Sequence, residues 1–317
     1  MRGCTGYAAP FAYAPGMDRC CLIVGCGYTG LRLARRLQSG WRIMATARSA
    51  EAAARLAAEG VATLHFDLDA GSDAATDIGA WATAAGGAAA IAYLAPPPDT
   101  GTDDPRLARF LEALGTARPG ALLYMSTTGI YGDTGGDLVT EASPVAPASD
   151  RARRRVAAER ACTAWCAARG VRSVVLRVPG IYGPWRLPLA RLARGEPALR
   201  HEEAGPGNRI HVDDLVAACV AALTSPVHGV FNVTDGDPAS TTAFLERTAA
   251  LAGLRPPPLV SRAEAAAHIS PGMLAFLVES RRVDNRRMRE ELGVAPLHAR
   301  MDDGISASLA EMRATGG

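Results

Sequence analysis

The chain contains no lysine: all 34 of its basic residues are arginine. That absence removes whole mechanisms, among them a Schiff-base lysine, a P-loop lysine and a lysine acid or base. It accompanies an abundance of alanine, glycine and arginine, which points to a GC-rich coding sequence. No apolar run approaches the roughly 20 residues of a membrane helix, so no membrane association is expected. Formal net charge is only +2, which gives no electrostatic case for nucleic acid or anionic lipid. The seven cysteines form no CxxC pair. Cys162 and Cys166 sit four apart with no histidine nearby and read as small buried residues, so no metal is expected. Scattered thiols, odd in number, point to a reduced cytoplasm. The first sixteen residues lack a charged start followed by a continuous apolar stretch. No signal peptide is expected, and residues 1–17 read as a loose extension.

What remains is long enough, at 317 residues, for one large core or a nucleotide domain with a smaller lobe. Short apolar runs at 20–25, 42–47, 63–66, 89–94, 122–125, 173–178 and 230–233 read as strands. Helical patterns separate them at 31–38, 51–59, 106–114 and 151–169. Further helices are expected at 210–223, 240–251 and 284–292. Alternation at this spacing means an α/β protein whose parallel sheet is covered on both faces. The expected organisation is a Rossmann-type, doubly wound domain from 18–183 and 208–234. A smaller C-terminal substrate lobe would come from 184–207 and 235–317.

Gly25-Cys26-Gly27-Tyr28-Thr29-Gly30 is a GxGxxG loop that follows a strand and opens a helix. Gly25 suits the tight turn, Gly27 the close approach of a pyrophosphate, and Gly30 close helix packing. Tyr28 and Thr29 open the helix whose free N–H groups meet phosphate. After the second strand stands Arg48, where an NAD site places a carboxylate for the ribose 2′-hydroxyl. Arginine there suits a 2′-phosphate, so NADP is the expected cofactor and NAD the less favoured one.

Together GCGYTG (25–30), FDLD (66–69), STTGIYGD (126–133), RVPGIYGPWR (177–186), NRIHVDDL (208–215) and RRVDNRRMREELG (281–293) resemble a known family. They are similar to the extended and atypical short-chain dehydrogenase/reductases, the NAD-dependent epimerase/dehydratase superfamily, and to its YeeZ-like branch in particular. The resemblance covers roughly 20–309. It implies that Asp67 and Leu68 line the adenine and that Ala95 and Pro96 cross behind the cofactor. It also implies that Pro179 and Ile181 flank the nicotinamide and that Arg209 faces the acidic part of a substrate. A homodimer is compatible with it.

Relatives of this kind that oxidise or reduce carbonyls use a Ser or Thr, then Tyr and Lys spaced YxxxK. The hydroxyl residue corresponds to Thr127, which can hydrogen-bond a substrate oxygen. Arg151 and Arg155 fall at the Tyr and Lys positions. Arg155 retains a cation for the cofactor ribose; Arg151 has no proton to give near neutrality. Thr128 and Gly129 stand where sugar dehydratases of the family carry an acidic pair, which argues against elimination. Tyr131 is the expected replacement acid, with Tyr182 and His211 as weaker candidates; His211 reads as structural. Arg186, Arg191, Arg194, Arg200 and Arg209 lie where the cleft would be capped, and Arg186 and Arg209 are taken as contacts to an anionic small-molecule substrate. Two functions follow. One is an NADP-dependent oxidoreductase or epimerase-like enzyme acting on a small polar, sugar-derived or other carbonyl or alcohol. The other is a catalytically silent NADP-binding sensor or scaffold.

Overall fold

The computed structural model describes residues 19–69, 75–86, 89–265 and 279–316. The expected extension, 1–17, lies outside the described residues. In chain order come β1 (Cys20–Val24), α1 (Tyr28–Leu37), β2 (Arg42–Ala47), α2 (Ala50–Ala58) and β3 (Ala62–His65). They are followed by α3 (Ala75–Ala85), β4 (Ala89–Tyr93), α4 (Pro105–Ala113), β5 (Ala121–Thr127), β6 (Leu138–Val139), α5 (Asp150–Ala167) and β7 (Arg172–Val178). Then come β8 (Gly180–Tyr182), α6 (Leu189–Ala193), β9 (Ala198–Leu199), β10 (Arg209–His211), α7 (Val212–Thr224), β11 (Gly229–Asn232), α8 (Thr241–Ala252), β12 (Leu259–Val260) and β13 (Arg282–Val283).

Seven strands form one parallel sheet in the order β11-β7-β5-β4-β1-β2-β3. Every residue of β1 and of β4 is buried. Strands covered on both faces need continuous apolar sequence, and CCLIV and AAIAY supply it. The order reverses between β1 and β4, so the crevice for a ligand opens above their carboxyl ends. Side-chain caps start several of the helices. Ser49 accepts from the amide of Ala52, Asp104 from Leu107, Ser149 from Ala152 and Ser240 from Ala243. Each satisfies a donor the helix cannot. Helix α1, capped by Gly27, has no such bond.

Two long helices, α3 and Met301–Ala314, lie outside the expected set. Each carries a glycine, which weakens the local helical signal, and tertiary contact explains both. A β-carbon on Gly79 would sit 2.8 Å from the carbonyl oxygen of Ala113 in α4, and one on Gly304 would collide with the Tyr182 ring. Residues 210 and 211, expected to begin a helix, belong instead to the short strand 209–211 that pairs in parallel with β8.

Outside the main sheet, Tyr182, Leu187, Phe244, Met301, Ile305 and Leu309 form a separate apolar cluster. The expected boundary at 235 is not clean. Met288, Leu292 and Val294 are buried in the core of the large sheet, so part of 235–317 belongs there.

Candidate active site

The glycine loop has the geometry its spacing suggests. Gly25 has φ +87°, and a β-carbon there would lie 2.6 Å from the amide nitrogen of Ala95. Only glycine lets the loop press against the end of β4. At Gly30 a β-carbon would be 3.0 Å from the Gly25 carbonyl oxygen. Gly27 is the contrast: a β-carbon there would find no atom within 4 Å. Beside that open space stands α1, without a side-chain cap and without acidic residues in its first turn. Uncapped amides, the positive helix end and room at Gly27 suit a pyrophosphate.

Around this cradle the sheet edge assembles the other expected residues. Arg48 is exposed just beyond β2, with no hydrogen-bond or ion-pair partner given by any described residue. Asp67 accepts from the amide of Asp69 at 2.9 Å. Helix α4 holds this segment: Arg106 pairs with Asp69 at 2.6 Å and also donates to the carbonyls of Pro96 and Pro97, while Arg109 donates to that of Leu68. Arg106 thus ties the expected adenine wall to the Ala95–Pro96 crossing. Neither arginine was singled out from the sequence, because a tie 37 residues long leaves no local pattern.

Thr127 ends β5 half-buried, its Oγ1 accepting from the amide of Gly129 at 3.2 Å. That bond leaves the hydroxyl hydrogen available to an oxygen in the cleft. Arg155 donates through one nitrogen to the Tyr124 hydroxyl, at 3.1 Å, and to the Met125 carbonyl, at 2.9 Å. The guanidinium is thereby anchored at the end of β5. Arg151 is exposed. Pro179 and Ile181 are half-buried where β7 passes into β8.

Three expectations about the cleft need correction. Tyr131 is fully buried; its hydroxyl donates to Asn232 Oδ1 at 2.7 Å and accepts from Arg177 Nη1 at 2.8 Å. Arg177 in turn grips Glu159, at 2.9 and 3.2 Å, and Glu159 accepts from Ser126. Burial raises the phenol above its ordinary range. Tyr131 is a core member of this network and does not face the cleft as an acid. Tyr182 is likewise buried, with His211 and Phe244 edge-on to its ring. Arg209 does not face the cleft either. It is buried, donating to the Ala239 carbonyl at 2.6 Å and to Thr241 at 3.2 Å, with its guanidinium 4.6 Å from the Phe244 ring centre.

Among the other arginines, Arg191 donates to the Pro197 carbonyl, Arg194 pairs with Glu196 and Arg200 with Glu264. Arg186 differs. It is exposed, lies 4.2 Å from the Tyr28 ring centre and has no carboxylate partner among the described residues. His211 is buried, caps α7 by accepting from the amide of Asp213, and meets Ser308 at 3.1 Å. Burial lowers its pKa to about 3. His211, Asp213 and His298 place ligand atoms within 4.8 Å of one another, yet both ring nitrogens of His211 are already engaged.

A parallel sheet reversing at β1 and β4 with an open glycine cradle defines a dinucleotide-binding protein of the Rossmann type. The profile of the NAD dependent epimerase/dehydratase family matches residues 21–234, and the chain belongs to that family. It thus stands among NAD(P)-dependent oxidoreductases and epimerases. A conserved protein of unknown function from Silicibacter pomeroyi is 32% identical, with 92% of this chain and 99% of that one covered and a TM-score of 0.76. UDP-glucuronic acid 4-epimerase from Bacillus cereus, solved with NAD, shares the fold at 15% identity, TM-score 0.73, over 94% and 100% of the two chains. A 3-diazoavenalumate denitrifying reductase from a Streptomyces species is 33% identical over 138 residues. That match spans 42% of this chain and 45% of the relative. No helix among the described residues is long and apolar enough to cross a membrane.

Proposed function

We propose that the chain is an NADP-dependent reductase of a small, polar, anionic substrate, carbonyl-bearing or sugar-derived, working in a reduced cytoplasm. The observation that carries this reading is the open cradle at Gly27 with exposed Arg48 just beyond the end of the neighbouring strand β2. In this reading Gly25, Gly27, Tyr28, Thr29 and Gly30 hold the pyrophosphate, and Arg48 pairs with the 2′-phosphate. Asp67 and Leu68 line the adenine, Ala95 and Pro96 back the dinucleotide, and Pro179 and Ile181 flank the nicotinamide. Arg155 holds the ribose, and Arg186 receives the acidic part of the substrate. The lobe around Leu187 and Phe244 closes the substrate side. A bound nicotinamide cofactor would supply hydride. Thr127 orients and polarises the receiving oxygen with its free hydroxyl hydrogen.

The burial of Tyr131 and Tyr182 favours one variant of this reading. With neither phenol in the cleft, the proton after hydride transfer comes from water, or the acceptor needs none. A diazonium carbon is such an acceptor: it takes hydride as its C–N bond breaks and N₂ leaves with the electron pair. The Streptomyces relative's name carries chemistry of that kind.

The test pairs calorimetry with a turnover screen. Wild type should bind NADPH, and Gly27→Val should stay folded yet lose binding, since its side chain occupies the pyrophosphate's space. NADPH oxidation is then screened over keto sugars, small aldehydes and aryl diazonium salts. Thr127→Val should slow any carbonyl reduction about 10²- to 10³-fold. Wild type that binds no dinucleotide sinks the reading. Tight binding with no turnover across the screen moves the assignment to a cofactor-sensing protein.

A further inference from the structure

Trp185 is the one non-glycine residue with positive φ among the described residues, at +59°. The amide of Arg186 donates to the Gly183 carbonyl at 3.0 Å, closing a turn with Pro184 second and Trp185 third. A third position at positive φ favours glycine, and a bulky L-residue is sterically disfavoured there. Trp185 is also 53% exposed, the only aromatic among the exposed large apolar side chains described. It joins none of the apolar clusters. The ring therefore carries two costs, a strained backbone and an unburied surface, with no interior packing to offset either.

The turn's position gives those costs a reason. The Tyr28 hydroxyl donates to the Pro184 carbonyl at 2.9 Å. A β-carbon on Gly183 would lie 2.6 Å from that hydroxyl and 2.7 Å from Val212 Cγ1. Arg186 stacks on the Tyr28 ring as well. The turn is thus pressed onto the first residue of α1, next to the open space at Gly27. Backbone strain that persists beside a ligand cradle is characteristic of ligand clamps.

We propose that Trp185 is an aromatic cover for the nicotinamide-nucleotide half of the bound dinucleotide, held there by the Gly183–Arg186 turn. This rests on the dinucleotide reading above. Flat rings and ribose faces pack on an indole, and the turn that carries Trp185 is fixed against Tyr28, the residue that follows Gly27.

Three variants separate the ring from the strain. Trp185→Gly removes both, Trp185→Ala removes the ring but keeps a side chain at positive φ, and Trp185→Phe keeps an aromatic. Calorimetry compares NADPH with 2′,5′-ADP, which lacks the nicotinamide half; should wild type prefer NADH, NADH and ADP replace them. The dinucleotide should bind about five- to tenfold more weakly to the Gly and Ala variants, and within about twofold of wild type to the Phe variant. The adenosine fragment should bind all four proteins alike. Trp185→Gly should melt a few degrees above Trp185→Ala, reporting the relieved turn. Dinucleotide binding unchanged in Trp185→Gly overturns the proposal. So does equal weakening of dinucleotide and fragment, which would place the ring elsewhere. Wild type that binds neither overturns the cofactor reading itself, and this proposal with it.

Discussion

In the proposed reading Arg48 stands where a carboxylate would discriminate for NAD, so this one side chain is expected to select between the two cofactors. Arg48→Ala should cost NADPH at least about tenfold in affinity, roughly 1.4 kcal/mol, and leave NADH unchanged. Calorimetry with both cofactors checks this, and equal losses for the two would remove Arg48 from the selection. The lysine-free chain also uses arginine where no ammonium would serve. Arg172 donates to the carbonyls of Ala222, Leu223 and Val227, and Arg209 spans Ala239 and Thr241. A planar fork meets several acceptors at once, and its weaker hydration makes burial tolerable. Arginine number alone therefore says little about substrate charge, since most of these side chains are structural.

Strand ends are the elements that shape the cleft, and a buried polar chain holds them in register. Ser126 of β5 donates to Glu159 of α5, Glu159 pairs with Arg177 of β7, Tyr131 links Arg177 to Asn232 of β11, and the amide of Asn232 donates to Glu141 at 2.8 Å. Thr127 follows Ser126 directly, so this network sets where its hydroxyl sits. Removing one partner of a buried ion pair strands the other charge, a loss of about 3–5 kcal/mol. Removing only a shared hydroxyl costs less. Tyr131→Phe should destabilise the protein by about 1–2 kcal/mol in urea unfolding while NADPH affinity stays within about twofold. Normal stability combined with a large loss of turnover would return Tyr131 to the chemistry.

At the scale of the whole molecule, Asp235 and His211 are buried titrating groups with opposite effects on stability. Burial raises Asp235 from 3.8 to about 7. Between those values the folded chain holds a proton the unfolded chain has released, so stability falls as pH rises through that window. Burial lowers His211 from 6.5 to about 3. There the unfolded chain holds the extra proton, and stability falls as pH drops below 6.5. The two slopes oppose each other across mildly acidic pH. Asp235→Asn removes one of them. Relative to wild type, that variant should gain roughly 2 kcal/mol of stability between pH 5 and pH 8. Urea unfolding at both values checks it, and a difference that does not change with pH would take Asp235 out of the balance.

Local signals suffice for much of this protein. The apolar runs specify the strands because a doubly covered sheet needs uninterrupted hydrophobicity. The glycine loop declares its turn because only glycine tolerates positive φ at 25 and contact distance at 30. The order of the motifs carries the family. Helices α3 and Met301–Ala314 were hidden, because Gly79 and Gly304 answer to neighbours far along the chain rather than to helix propensity. The roles of Tyr131 and Arg209 were hidden for the same reason. A tyrosine or an arginine next to a cleft motif looks identical in sequence whether its polar end points into solvent or into the core. Only packing decides that, by supplying Asn232 and Arg177 to one and the Ala239 carbonyl and Thr241 to the other. Burying a polar group without partners is costly, so the partners that tertiary structure brings up determine which side chains remain free for chemistry.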